Sequence, residues 1–378
     1  MLAALVATPT VSSVNPELDM GNREAIELLA SWLDELGFRI EVMPIDAKGN
    51  KANLLATLGS GDHGLVLAGH TDTVPYDQDA WRCDPFTLAA TDDRLYGLGT
   101  CDMKGFLALA IQSTRAFTRR ELKRPLSLLA TADEESTMDG ARAFAARGHA
   151  PGQYAVIGEP TGLRPVNLHK GVFMESICVH GRSGHSSDPK LGASALEGMH
   201  QVIGRLLAWR EVLQRRHRNP QFSVPVPTLN LGRIRGGDNP NRICGQCELQ
   251  IDLRPLPGMD LDEVRQALRT EIRAALKDTP LEVTFKPLFS GVPPFATPPE
   301  SAIVRTAEEL TGLPAEAVAF ATEGPFLRQI GMETVILGPG DVAQAHQPNE
   351  FLPLARVAPT IELLTLLIHR FCVAEHAP

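Results

Sequence analysis

His70 and Asp72 close the apolar run Leu65-Val66-Leu67-Ala68-Gly69, and side chains two apart on an extended backbone point the same way. An imidazole there can offer a ring nitrogen to a metal while the carboxylate behind it fixes the ring's orientation. Similar side chains recur after apolar runs or glycine loops: Asp102 after Gly97-Leu98-Gly99-Thr100-Cys101, Glu134 and Glu135 after Leu126 to Ala132, and Glu159 after Tyr154 to Gly158. His346 stands in Gln344-Ala345-His346-Gln347-Pro348-Asn349-Glu350. Singly, each also reads as something ordinary: a solvated turn, an acidic first turn of a helix, a strand exit, a surface loop. Together they are imidazoles and carboxylates without thiolates, a donor set that suits zinc in catalytic rather than structural use. Two metals about 3.5–4 Å apart would need a bridging carboxylate and would activate water, and adjacent Glu134 and Glu135 offer a ligand and a free general base.

A parallel sheet would gather these residues, because in open α/β sheets the ligand site lies beyond the carboxyl ends of the strands. Ala25, Ile26, Leu28, Leu29, Trp32, Leu33 and Leu36 predict a helix over 22–37 that Gly37 stops. Strands come next over 38–42 and 52–58, then the strand ending at His70. A glycine loop, a helix over 106–117 and a buried-type strand over 126–132 make a crossover unit. Further strands are expected at 154–158 and 333–337, and helices at 300–311 and 354–371. From Val172 the texture changes to amphipathic strands over 172–180, 228–235 and 248–253, with helices at 192–217 and 260–277. The expected architecture is therefore α/β, a mostly parallel sheet flanked by helices over 1–171 and 288–378. An α+β, ferredoxin-like domain over 172–287 is inserted into it.

Composition bounds the function. A chain of 378 residues is long enough for two domains, and 43% hydrophobic residues with a net charge of -9 leave no basic face for nucleic acid. No apolar run is long enough to span a bilayer and the amino terminus lacks a basic signal region, so the expectation is a cytoplasmic protein without a membrane partner. Cys83, Cys101, Cys178, Cys244, Cys247 and Cys372 are too sparse for a disulfide framework. Cys244 and Cys247 form a lone Cys-x-x-Cys without a second ligand pair, which reads as ordinary strand or loop cysteines.

The segments Gly69-His70-Thr71-Asp72-Thr73-Val74-Pro75, Gly97 to Gly105, Asp133-Glu134-Glu135, Gly158-Glu159-Pro160-Thr161 and Ala345 to Glu350 resemble the dizinc amidohydrolase and peptidase family. That family contains acetylornithine deacetylases, succinyl-diaminopimelate desuccinylases and glutamate carboxypeptidases, and the likeness runs almost end to end. Ser183 to Pro189, Pro227 to Gly232, Arg254 to Met259 and Thr322 to Phe326 most resemble the acetylornithine deacetylase branch. The resemblance implies two zinc ions, with cobalt or manganese as substitutes. His70, Asp102 and Glu159 would hold one ion and Asp102, Glu135 and His346 the other, with Asp102 as bridge and Glu134 as base. Asp72 would steady His70.

It also implies a homodimer formed through the inserted domain, with His185 delivered to the partner's reacting carbonyl. Asn241 and Arg254 would grip the substrate carboxylate, and Glu323 would meet a substrate ammonium. The implied substrate is a small N-acyl amino acid, first N-acetyl-L-ornithine, with N-acetylcitrulline or succinyl-diaminopimelate as alternatives. A catalytically silent dimeric binding protein is the rival from another class, against which stands the retention of Glu134 and every ligand position. Two departures from the family pattern are an amino terminus that begins a helical turn or two late and Cys101 beside the expected bridge, where a small apolar residue is common. The thiol there would be oxidisable.

Overall fold

A computed structural model describes residues Met1 to Glu375, and the chain forms two compact units. The first comprises Met1–Asn167, Thr297–Glu316 and Thr322–Pro378, and the second Leu168–Ala296 with Ala317–Ala321. Among the described residues no helix is long and apolar enough to cross a membrane.

The first unit is built on strands in the spatial order Arg39–Pro44, Ala52–Leu58, Leu126–Thr131, Leu65–His70, Tyr154–Ile157 and Glu333–Ile336. Ala52–Leu58 is antiparallel to both its neighbours, whereas Leu65–His70 runs parallel to both of its own and Glu333–Ile336 runs parallel to Tyr154–Ile157. Leu65–His70 and Leu126–Thr131 are buried at every position, the pattern of strands covered on both faces. His70 pairs with Thr131 in register, so the turns beyond these two strands emerge at the same edge.

The helix expected over 22–37 spans Arg23–Glu35, and Gly37, with φ of +83°, terminates it as expected of a residue without a Cβ. The crossover helix spans Lys104–Thr114 rather than 106–117, and nearly all of it is buried because the Val357–Ile368 helix packs against it. The long apolar run expected as one helix over 354–371 is a 3-10 turn at Leu354–Arg356, the α-helix Val357–Ile368 and a π-turn at His369–Val373. Short helices at Asp139–Ala145 and Gly324–Gln329 lie outside the sequence expectation, since each is too short to show a periodicity.

The second unit has a four-stranded antiparallel sheet in the order Thr228–Gly236, Gln246–Arg254, Phe173–His180, Glu282–Pro287. Its chain order is strand, helix, strand, strand, helix, strand, the split arrangement of a ferredoxin-like layer. Cys247, Leu249, Ile251 and Leu253 alternate inward toward Ala195, Met199, Val202, Leu206, Trp209 and Leu213 of the helix Ala195–Arg216. Leu261, Val264, Leu268, Ile272 and Leu276 of the Leu261–Leu276 helix join the same core. Ser194 and Asp260 cap the two helices by accepting from backbone N–H groups of the first turns. The closing strand Glu282–Pro287 lies outside the sequence expectation; it has no buried residue, and its alternating Val283 and Phe285 pack half-buried against the same core.

Close packing behind the sheet edge leaves no room at Gly158, where an added Cβ would lie 1.9 Å from a ring carbon of Phe106. Gly158→Ala is expected to lower stability by about 1–3 kcal/mol through overpacking. Denaturant unfolding that shows an unchanged midpoint would contradict this packing.

Candidate metal centre

Every strand end of the parallel set contributes to one cluster. His70 is the last residue of its strand, and the turn Asp133-Glu134-Glu135 comes after Leu126–Thr131. Glu159 comes after Tyr154–Ile157, and the segment bearing His346 after Glu333–Ile336. Asp102 stands just before the Lys104–Thr114 helix, whose positive end favours a carboxylate.

Asp102 lies between the two histidines. Its Oδ1 is 3.1 Å from His70 Nε2 and its Oδ2 is 3.5 Å from His346 Nε2. Glu135 reaches His346 on the far side, Oε2 to Nε2 being 3.0 Å, while Glu159 Oε1 lies 3.9 Å from His70 Nε2. Ligand atoms of His70, Asp102 and Glu135 all lie within 4.8 Å of one another, and so do those of His70, Glu134 and Glu159. Glu134 makes no hydrogen bond among the described residues.

Asp72 orients His70 by a route the sequence does not specify. The ring Nδ1 is 3.0 Å from the Asp72 backbone carbonyl, a contact in which the N–H donates and leaves Nε2 as the free donor atom. The Asp72 carboxylate stands 3.7 Å from the same nitrogen, and its Oδ2 accepts from the backbone N–H of Glu135 at 3.0 Å. One residue thus steadies His70 and ties its strand to the carboxylate turn.

The turn is braced from below. Asp133, at φ of +59°, accepts from Ser12 Oγ and from Lys51 Nζ, each at 2.7 Å, and Lys51 also donates to Asp19 at 2.8 Å. Burial opposes the Lys51 charge, yet Asp133 and Asp19 hold the ammonium above its ordinary range. Behind Asp102, the fully buried Glu350 accepts backbone N–H groups from Gly99, Cys101 and Asp102 at 2.9, 2.7 and 2.9 Å. None of Ser12, Asp19 or Lys51 carries a signal in the sequence, and Asp133 and Glu350 stand inside recognised segments without a role there.

Electrostatically the cluster is a surplus of buried anions. Burial and then Glu159 push Glu134 well above the carboxylate range, while burial and then Asp102 do the same to Glu159 and raise Glu135 less. Burial works against a charged His70, but Asp102, Asp72, Glu159 and Glu134 together raise its pKa well above the usual value. Hydrogen bonds that its ring N–H donates to Asp102 and Glu135 lift His346 to about 10. Asp102 alone moves downward: burial raises it, and the two histidines more than reverse that. Asp72 Oδ1, Glu159 Oε1 and Glu323 Oε1 are buried without a hydrogen-bond partner. Unpartnered buried carboxylate oxygens beside imidazoles fit divalent cations of the zinc, cobalt or manganese type.

Glu323 is wholly enclosed at the start of the Gly324–Gln329 helix, where its Oε2 accepts from Thr131 Oγ1 at 2.8 Å and burial raises its carboxyl to about 7. In the second unit the His185 and Asn241 segments are joined. His185 bridges Arg242, Ser186 N–H donates to the Asn241 carbonyl at 3.1 Å, and the exposed His185 ring accepts from Ser187. Arg254 ends the Gln246–Arg254 strand, its Nε donating to Asp252 at 3.0 Å. Cys101 is buried, its thiol pushed upward by burial and then by Glu350, so it is held as an inert thiol rather than a reactive one.

The family profile described as Peptidase family M20/M25/M40 matches residues 66–370. The chain belongs to this family. An acetylornithine deacetylase from Edwardsiella ictaluri is 48% identical over 98% of this chain and 96% of its own length. Among solved structures, a tripeptidase from Staphylococcus aureus superposes with a TM-score of 0.74 at 20% identity, covering 97% of this chain and 95% of its own. A dinuclear metal-binding peptidase of the family from Bacillus subtilis gives a TM-score of 0.69 at 16% identity, covering 98% and 97%. These two likenesses establish the fold, a family fold of mostly parallel sheet with a separate antiparallel layer. Family membership makes the chain a metal-dependent hydrolase.

Proposed function

We propose that this chain hydrolyses N-acetyl-L-ornithine to L-ornithine and acetate, a step of arginine synthesis, as a cytoplasmic homodimer with two zinc ions. The observation that carries the reading is the gathering of His70, Asp102, Glu134, Glu135, Glu159 and His346 within a chain 48% identical to a protein named for that reaction. His70, Asp102 and Glu159 would hold one ion and Asp102, Glu135 and His346 the other. Divalent cations bound there supply Lewis acidity toward the acyl carbonyl and toward water.

Glu134 is the general base. Its lack of a hydrogen bond leaves both oxygens free, and burial among carboxylates gives it a raised affinity for a proton, which suits accepting one from water and returning it to the leaving nitrogen. The water oxygen bonds to the acyl carbon, the C–N bond breaks, and the amine departs with the proton. Asp72 holds the His70 ring in the tautomer that presents Nε2. In the dimer, His185 of the partner subunit donates to the developing oxyanion, and its exposure supports such a role. Asn241 and Arg254 bind the substrate carboxylate, for which a guanidinium is suited.

Glu323 is assigned to the substrate's δ-ammonium, supported by its unpartnered Oε1. Its complete enclosure and its bond to Thr131 favour a second reading, a structural acceptor beneath His70. Comparing kcat/KM for N-acetylornithine, N-acetylcitrulline, succinyl-diaminopimelate and N-acetylmethionine, on protein of measured metal content, tests the substrate assignment.

Glu134→Ala is expected to retain two metals and lose about 10²-fold to 10⁴-fold in turnover. A fall in stoichiometry to one metal would exchange the roles of Glu134 and Glu135. His185→Ala chains mixed with Glu134→Ala chains should regain activity, because one site of each heterodimer combines an intact base with an intact partner histidine. Silence after verified subunit exchange confines His185 to its own chain or to no role. Glu323→Gln should reduce kcat/KM for N-acetylornithine about 10-fold to 10²-fold, the ~1.5–3 kcal/mol of a charged hydrogen bond, and spare N-acetylmethionine. Equal losses on both substrates would establish the structural reading.

A further inference from the structure

Glu350 touches the loop that carries Asp102 through both carboxylate oxygens and its backbone carbonyl. Its Oε1 accepts from the backbone N–H groups of Cys101 at 2.7 Å and Asp102 at 2.9 Å, and its Oε2 from that of Gly99 at 2.9 Å. Its carbonyl accepts from Gly97 N–H at 3.1 Å, and Phe351 continues the attachment as an antiparallel partner of Tyr96. The same short segment carries His346, whose Nε2 stands 3.5 Å from Asp102 Oδ2. Asn349 anchors the segment in turn, accepting from Arg82 N–H at 2.8 Å and donating to the Ala80 carbonyl at 3.3 Å.

We propose that Glu350 is a positioning residue that sets the spacing of Asp102 and His346, and thereby the affinity for the cation those two share with Glu135. An ionised carboxylate is an acceptor only, so it can satisfy several converging N–H groups at once. A glutamine in its place would turn an NH₂ group toward at least one of those amides. Asp102 sits within the hydrogen-bonded stretch, so a shift of its backbone moves the carboxylate that lies between both histidines. His346 is attached to the same anchor, which makes the spacing a property of one rigid connection rather than of two independent loops. Groups that orient metal ligands in this way change metal affinity about 10-fold to 100-fold when replaced.

This inference rests on the dinuclear reading, and its test separates the two. Full-length protein freed of metal with a chelator is titrated with Co²⁺, stoichiometry being followed by calorimetry, ligand geometry by visible absorption, and fold by melting temperature. The native chain is expected to take up two ions. Glu350→Gln should weaken both ions, because both share Asp102, and the second, which also depends on His346, about 10-fold to 100-fold, with altered absorption bands and a fall in kcat larger than the change in KM. Glu350→Asp keeps an acceptor-only group but withdraws it by one methylene, and it should shift the second affinity in the same direction should the glutamine chain fail to fold. Leu33→Ala, a truncation in the hydrophobic core, serves as a control for lost stability. An unchanged second affinity in the Glu350 variants, or an equal weakening in Leu33→Ala, overturns the positioning role while leaving two ions in the native chain. Uptake of fewer than two ions by the native chain overturns the dinuclear reading and this inference with it.

Discussion

Carboxylates crowded together inside a protein repel one another and lose their hydration, and the first unit is arranged around that one cost. Asp72, Asp102 and Glu159 are almost completely enclosed, and Glu134 and Glu135 stand beside them. Two responses are built in locally. The histidines share Asp102, so the carboxylate that lies between both imidazoles is also the one held below its ordinary range. The backbone then supplies donors where side chains do not: Glu135 N–H to Asp72, and three amides of one loop to Glu350. The oxygens left without partners are the residue of this arrangement, and they are where a divalent cation is chemically at home.

The parallel sheet is what makes such crowding feasible without a dedicated scaffold. Each strand is a stiff, buried rod whose in-register neighbours start and stop together, so unrelated loops emerge at one edge. The second unit solves a different problem with different means. Its buried Glu175 accepts from Arg269 Nε at 2.6 Å, and Arg265 lies over the Phe173 ring at 4.9 Å, so charge there is paired and walled by an aromatic face. That is a structural use of ionised groups, distinct from the unpaired surplus of the first unit.

Much of this is legible in the chain because it depends on local pattern. The uninterrupted run Leu65 to Ala68 suits only a covered strand or a buried helix, and the glycine with His70 and Asp72 at its end decides for the strand. The ligand positions are legible for the same reason, most of them lying directly after such a run. The contacts that escape the sequence depend on distance along it. Glu350 meets Cys101 across 249 positions, and Asp133 meets Ser12 across 121, and no periodicity records either contact. Asp72 shows the limit within a recognised motif: residue type predicts a carboxylate behind the imidazole, but the nearer contact to the ring is the backbone carbonyl. Boundaries also move where the apolar pattern outruns the element, as when one expected helix over 354–371 becomes three consecutive segments of different pitch.

His346 and Asp133 both occupy left-handed backbone, at φ of +59° each, and neither is a glycine. A conformation of this kind costs an ordinary side chain on the order of 1–3 kcal/mol, and glycine or asparagine relieves it. The two positions therefore stand under opposing pressures. Thermal hardiness alone would reward replacement at His346, which is exposed and contributes little to any core, whereas the bonds from Ser12 and Lys51 hold the aspartate at 133. A campaign that ranked variants of this chain by heat resistance would drift toward His346→Gly, and its winners would be sturdier proteins from which an imidazole at the metal cluster had been quietly removed.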